Sequence, residues 1–203
     1  MLQAVESIFG ILETREMLDY YFGCYTRPGR VADTFGEELP EIHGGEILDV
    51  GCAAGRTTAE IAQLYPSARV TGIDLDRYSI GLALENAWEN HLQLLCEGRL
   101  EFMIADGYHL GRYLPGRTFD AIFMMNNLYF RAHELDDSRL REILGQAKQR
   151  LNHDGYLLLS GNRNYLILQE TARGTRLRNR FLKRGTRNEH RRGMDTLVRC
   201  ALG

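Results

Sequence analysis

Glu46-Ile47-Leu48-Asp49-Val50-Gly51-Cys52-Ala53-Ala54-Gly55-Arg56-Thr57 runs from an apolar segment through a glycine-punctuated turn. Thr58-Ala59-Glu60-Ile61-Ala62-Gln63-Leu64 then continues with helix-forming residues. The pattern is that of a buried strand, a tight loop and a helix N-terminus in succession. Such an arrangement presents backbone N–H groups to a nucleotide-like ligand. Gly51 and Gly55 let the backbone approach that ligand with no Cβ between them. Spacing separates the ligand classes. A dinucleotide fingerprint needs Gly-x-Gly-x-x-Gly, and its second and third glycines would fall on Ala53 and Arg56, which disfavours a nucleotide-fold dehydrogenase. A phosphate-cradling loop would end in Gly-Lys-Ser/Thr, and this one does not.

Working outward, Arg69-Val70-Thr71-Gly72-Ile73-Asp74 is a β-rich run that ends in an acid, 23 residues beyond Gly51. In a βαβ unit such an acid sits at the carboxyl end of the second strand, where it can accept ribose hydroxyl protons. Asp76 and Ser79 are candidate N-caps for a helix over about 78–95. Arg99–Ile104 reads as a third strand leading into Asp106-Gly107, and residues 118–125 as a fourth, apolar enough to be covered on both faces. A helix over about 137–151 follows, then a turn at Asn152-His153-Asp154-Gly155 and a fifth strand over 156–161. Strands alternating with helices through short connections give a parallel sheet wound right-handedly.

Asp49, Gly51 and Gly55 meet the pattern acid-x-Gly-x-Gly-x-Gly, with Ala53 in place of the middle glycine. Together with Asp74, these residues resemble motif I and the ribose-binding acid of the class I (Rossmann-like) S-adenosylmethionine-dependent methyltransferases. The resemblance covers about residues 1–161. It implies an α/β, doubly wound, mainly parallel sheet with helices on both faces. It also implies that Gly51, Cys52, Ala53 and Gly55 approach the methionine part of S-adenosyl-L-methionine, with Asp49 near its ammonium. Asp74 would hold the ribose, Leu75 lie against the adenine, and Asp106 and Gly107 meet its edge. Asn126 and Asn127, at the position of motif IV, would border the methyl and its acceptor. The Asn/Asp-Pro-Pro-Tyr/Phe signature of amino-methylating nucleic-acid enzymes is missing, which argues against base-amine methylation. No catalytic acid or base stands out; Tyr21, Tyr129 and His133 are weak candidates, and His109 reads as a surface loop histidine. Alignment alone is worth roughly 7–11 kcal/mol in a transfer of this kind.

The 203 residues suit a single domain, and 44% hydrophobic with 26% charged is ordinary for a soluble protein. No run approaches the roughly 20 apolar residues needed to span a bilayer. Glu6 and Glu13 at the start argue against a signal peptide. Cys24, Cys52, Cys96 and Cys200 are scattered, so a reduced, cytoplasmic protein without a metal site is expected. Charge is uneven. Residues 1–162 carry 14 Lys+Arg and 24 Asp+Glu, whereas residues 163–203 carry 11 and three. Lys148 and Lys183 are the only lysines.

Both ends flank the core. Residues 1–45 are expected to form a helical lid, from an amphipathic helix over 1–22 and a shorter one over about 31–39, with Tyr20, Tyr21, Tyr25 and Arg27 able to line the site. Residues 46–161 form the cofactor-binding core. In the basic segment 162–203, Asn164–Glu170 reads as the start of a helix that Leu177, Phe181 and Leu182 extend, and Thr196–Leu202 as a strand. The family's sixth and seventh strands are then lacking or altered. The expected function is methyl transfer to oxygen or nitrogen of a small-molecule or peptide acceptor, by in-line single displacement. Two readings of the arginines stand. A solvated face, or pairing with the body's own acids, comes first. The other is contact with an anionic acceptor or partner, of which nucleic acid ranks lowest because Phe181 is the only aromatic after Tyr165. The alternatives are a cofactor-binding regulatory module without catalysis and an RNA or nucleic-acid methyltransferase. The sequence leaves the oligomeric state open.

Overall fold

The computed structural model describes residues 30–125, 135–161, 164–184, 186 and 188–202. Three segments build one face of the molecule and enter the sheet. α1 (Arg30–Phe35), followed by a 3-10 turn at Gly36–Glu38, leads to β1 (Gly45–Val50) and α2 (Arg56–Leu64). β2 (Ala68–Asp74), α3 (Arg77–Asn90), α4 (Leu92–Cys96) and β3 (Leu100–Ile104) come next. The chain then crosses to the other face: α5 (Leu110–Tyr113), β4 (Phe119–Met125), α6 (Asp137–Lys148) and β5 (Leu151–Gly161). β6 (Asn164–Thr171), β7 (Gly174–Phe181) and α7 (Asn188–Leu202) complete it.

The seven strands form one sheet in the order β3-β2-β1-β4-β5-β6-β7, parallel from β3 to β5. β6 is antiparallel to β5 and β7 antiparallel to β6. This is the doubly wound, mainly parallel α/β fold expected from the motifs. The order reverses between β1 and β4, and in an open α/β sheet the ligand crevice lies outside the carboxyl ends of the strands at such a point.

Two apolar layers sandwich the sheet. Ile47, Val70 and Phe123 face α1–α4 through Phe35, Ile61 and Ala87. Leu48, Ile122, Leu157 and Leu159 face α5–α7 through Leu110, Leu140, Ile143, Met194 and Leu197. Neighbouring strand residues go to opposite layers, as the two-residue period of a strand demands. Phe119 and Ala121 break that rule by lying in different layers. A register shift between them explains it: Phe119 pairs with Leu151 but Ala121 with Tyr156. The expected turn at 152–155 is therefore an irregularity inside β5, with Asp154 at φ 64° and its extra residues bulged out of the ladder.

Three other expectations change. The long helix over 78–95 is two helices, broken at His91, whose N–H still bonds Ala87. Asn164–Phe181 is a hairpin, so the sixth and seventh strands are present. The expected helix fails because Tyr165 and Ile167 enter one apolar layer while Leu166 and Leu168 enter the other, an alternation that only a strand satisfies. Thr196–Leu202 belongs to α7, where Met194, Leu197 and Ala201 fall on one helical face and pack beside α6. The antiparallel pair thus follows β5 directly, and the helix comes after it.

Candidate functional site

The loop between β1 and α2 is built from backbone contacts. The N–H groups of Gly51 and Cys52 both donate to the carbonyl of Ile73, at 2.8 and 2.9 Å. Gly55 N–H returns to Cys52 O at 2.9 Å. Gly55 sits at φ 74°, where a Cβ would also come within 2.6 Å of the Phe102 ring; only glycine fits both constraints. Asn86 of α3 donates to Ala54 O at 3.3 Å and clamps the loop from the side.

Asp74, at the end of β2, turns its carboxylate into this loop. Oδ2 accepts the Ala53 N–H at 3.0 Å, and Oδ1 accepts the Asp76 N–H at 2.9 Å. Each oxygen keeps a second lone pair for a ligand. Leu75 follows, 66% exposed, and Ile104 at the end of β3 is 42% exposed. These two apolar side chains stand at the carboxyl ends of neighbouring strands.

Asp49 lies beneath the loop and is buried. Its Oδ2 accepts the Thr58 hydroxyl at 2.7 Å. Burial pushes its carboxyl up to about 7, and the charge of Asp74 adds to the effect; the Thr58 hydrogen bond and the field of Arg30 act the other way. Cys52 is buried beside it. Desolvation, reinforced by Asp49 and Asp74, raises its thiol far above the ordinary range, so it stays a neutral side chain.

The loop after β3 closes the far side. Ala105 N–H donates to Asp74 O at 3.0 Å. Gly107 lies so close to β1 that a Cβ would stand 2.2 Å from Cγ1 of Val50. Asp106 accepts the Tyr108 N–H at 2.8 Å, and His109 Nδ1 lies 2.6 Å from its Oδ2. Burial works against the Asp106 charge, yet the His109 and Tyr108 contacts outweigh it and hold the carboxyl below its usual range. His109 is thus no isolated surface residue. Its signal in the sequence was its spacing, three residues past an acid in a turn.

Asp49, Gly51, Cys52, Ala53, Gly55, Asp74, Leu75, Asp106 and Gly107 therefore meet at the carboxyl ends of β1, β2 and β3. Asn126, Asn127, Tyr129 and His133 lie outside the described residues, as do Tyr20, Tyr21, Tyr25 and Arg27. Thr58, Asn86 and Arg139 also take part in this constellation, and the motif spacing gave no sign of them.

Residues 47–155, more than half of the chain, match the family model described as methyltransferase domain. The chain belongs to the class I S-adenosylmethionine-dependent methyltransferases. Among curated relatives of this chain, ribosomal RNA large subunit methyltransferase G of Shewanella amazonensis is 30% identical over 127 residues, covering 62% of this chain and 31% of that protein. O-methyltransferase cnsE of Penicillium expansum is 30% identical over 131 residues, 64% of this chain and 43% of its own. Ribosomal protein L11 methyltransferase of Sorangium cellulosum is 31% identical over 154 residues, 74% of this chain and 43% of its own. The chain thus spans less than half the length of each of these relatives, whose names give ribosomal RNA, an oxygen atom and ribosomal protein L11 as what is methylated. Among its described residues no helix is long and apolar enough to cross a membrane.

The family's cofactor is S-adenosylmethionine, and the residues present fit it. The carboxyl of Asp49, buried beneath the loop with its charge disfavoured by desolvation, is one that a cationic group would compensate. Leu75 and Ile104 expose apolar side chains at the carboxyl ends of β2 and β3, where a planar ring could lie against them.

Proposed function

We propose that this chain transfers a methyl group from S-adenosylmethionine to oxygen or nitrogen of a small-molecule or peptide acceptor. The observation that carries the reading is the convergence of three carboxylates, Asp49, Asp74 and Asp106, around one glycine loop. Each then meets a different part of the cofactor: Asp49 the ammonium, Asp74 the two ribose hydroxyls, and Asp106 the amine of adenine, with Leu75 against the ring and Gly107 at its edge. The backbone of Gly51, Cys52, Ala53 and Gly55 borders the methionine part. When bound, the cofactor supplies a methyl on a sulfonium, a good leaving group. The chain's task is then orientation and exclusion of water, which suits a site without a nucleophile.

Asn126 and Asn127 border the acceptor side in this reading, residues 1–45 form its lid, and Tyr21, Tyr129 and His133 are the candidates for any proton transfer. A reduced, cytoplasmic setting agrees with the free Cys52, Cys96 and Cys200. An anionic acceptor is supported by Lys183 and Arg184. Lys183 N–H donates to Oδ1 of Asn164 at 2.7 Å, beside Gly161 at the carboxyl end of β5. The backbone at Lys183, with Arg184 next in the chain, therefore lies on the rim of the sheet formed by the carboxyl ends of the parallel strands. The test is titration with adenosylhomocysteine, then turnover to adenosylhomocysteine in cell extract with a search for products heavier by one methylene. Binding without any product would leave a regulatory module; no binding would overturn the reading.

A further inference from the structure

Asp106 is held at the end of a directional chain of side chains. Arg139, in the first turn of α6, places Nη1 on Glu142 Oε2 at 2.6 Å and Nη2 3.4 Å from Nε2 of His109. A guanidinium has donors only. Nε2 of His109 must therefore accept, which leaves the ring proton on Nδ1, facing Oδ2 of Asp106 at 2.6 Å. The Tyr108 N–H occupies Oδ1 from the other side. The carboxylate is thus pinned at both oxygens by donors, and its rotation is blocked. The chain also links the loop after β3 to the helix that follows β4, two segments 30 residues apart at His109 and Arg139.

We propose that His109, oriented by Arg139, is a positioning residue that fixes Asp106 as an acceptor for the exocyclic amine of adenine and so makes the site select a 6-aminopurine over a 6-oxopurine. The inference rests on the proposed cofactor reading. A 6-oxopurine brings a carbonyl to the place of the amine. A carboxylate that could turn away, or take up a proton and donate, would tolerate the exchange. Pinned by His109 and Tyr108, and held below the usual carboxylate range by the same contacts, Asp106 can do neither. Two acceptors then face each other, and sites that hydrogen-bond a ligand group reject analogues lacking it far more strongly than apolar pockets do.

The experiment is calorimetry with the full chain, titrating adenosylhomocysteine and its 6-oxo analogue, S-inosylhomocysteine. The wild type should prefer the adenine ligand by at least about tenfold, the mark of a 1.4 kcal/mol difference. His109→Ala should erase most of that preference. His109→Asn should keep more of it, because its amide nitrogen can stand where Nδ1 stood, and Arg139→Gln should fall between. A merely structural role would weaken both ligands alike and leave their ratio unchanged; that result overturns the proposal, and so does a wild type that binds both equally. A wild type that binds neither ligand overturns the cofactor reading itself. Should His109→Ala fail to fold, the ratios in His109→Asn and Arg139→Gln decide.

Discussion

The backbone N–H of Ala53 donates to Oδ2 of Asp74 at 3.0 Å, so the acid that closes β2 also holds the loop that leaves β1. In the proposed complex, ribose recognition and loop shape would therefore be coupled. Asp74→Ala should remove a charged acceptor for two hydroxyls, each such bond being worth about 1.5–3 kcal/mol before water compensates. It also strips Ala53 and Asp76 of their acceptor. Calorimetry should show adenosylhomocysteine binding weakened at least about tenfold, equivalent to 1.4 kcal/mol. An unchanged affinity would remove Asp74 from the site.

Ala53 itself adopts φ 46°, the left-handed region. Alanine ordinarily keeps φ negative, and here it does not. Side chains other than glycine adopt this conformation at a cost of roughly 1–2 kcal/mol. Ala53→Gly relieves it, against the roughly 0.5–1 kcal/mol of chain freedom that glycine loses on folding. The melting temperature should hold or rise slightly, and cofactor affinity should shift by less than about tenfold. A large gain in affinity would mean that the natural methyl obstructs the loop.

How far the site was legible follows from these residues. Asp74 and Gly55 were readable because their chemistry is local: an acid ending a β-rich run, and a glycine before a helix. Thr58, Asn86 and Arg139 were not, since their roles depend on partners brought near by the sheet. The hairpin β6–β7 was misread for a related reason. Tyr165-Leu166-Ile167-Leu168 is apolar throughout, and a short run of that kind fits a helix or a strand buried on both faces equally well. Only the pairing of Leu157 with Leu168, and of Leu168 with Leu177, decides it.

Asp49 gives the protein a pH dependence of defined sign. Its carboxyl stands at about 7 in the folded chain against an ordinary 3.8, mainly through burial. The folded state thus holds this proton more tightly than the unfolded one. The contribution is complete below about pH 4, declines as pH rises, and is gone above about 7. Asp49→Asn, which stays neutral, should flatten the fall in melting temperature across that window. In the proposed complex the ligand's ammonium favours ionised Asp49, so adenosylhomocysteine should bind more tightly as pH rises towards 7, with proton release. Titrations in buffers of different ionisation enthalpy would show that release; none in the wild type, or the same release in Asp49→Asn, would place the ammonium elsewhere.

The basic C-terminal segment is part of the sheet and core, which changes how its recognition role is tested. Deleting residues 173–203 would remove β7 and the α7 side chains Met194 and Leu197, both fully buried, so a truncated chain tests folding. The arginines also differ among themselves. Arg180 pairs with Asp195 and Arg199 with Asp137; such exposed pairs are worth only about 0–1 kcal/mol. Arg173 and Arg176 lie at the end of β7 away from the crevice, where charge on an edge strand deters pairing with other chains. Lys183 and Arg184 lie at the crevice end. Lys183→Ala with Arg184→Ala should therefore raise the acceptor's Michaelis constant and weaken its dependence on salt, because charges on the rim act over about a Debye length, roughly 8–10 Å at ordinary ionic strength. Arg173→Ala with Arg176→Ala should leave both unchanged, and adenosylhomocysteine affinity should be the same in both double variants. Equal effects from the two pairs would mean that only overall charge matters, and an acceptor constant indifferent to both would make the arginines a solvated surface and the acceptor neutral.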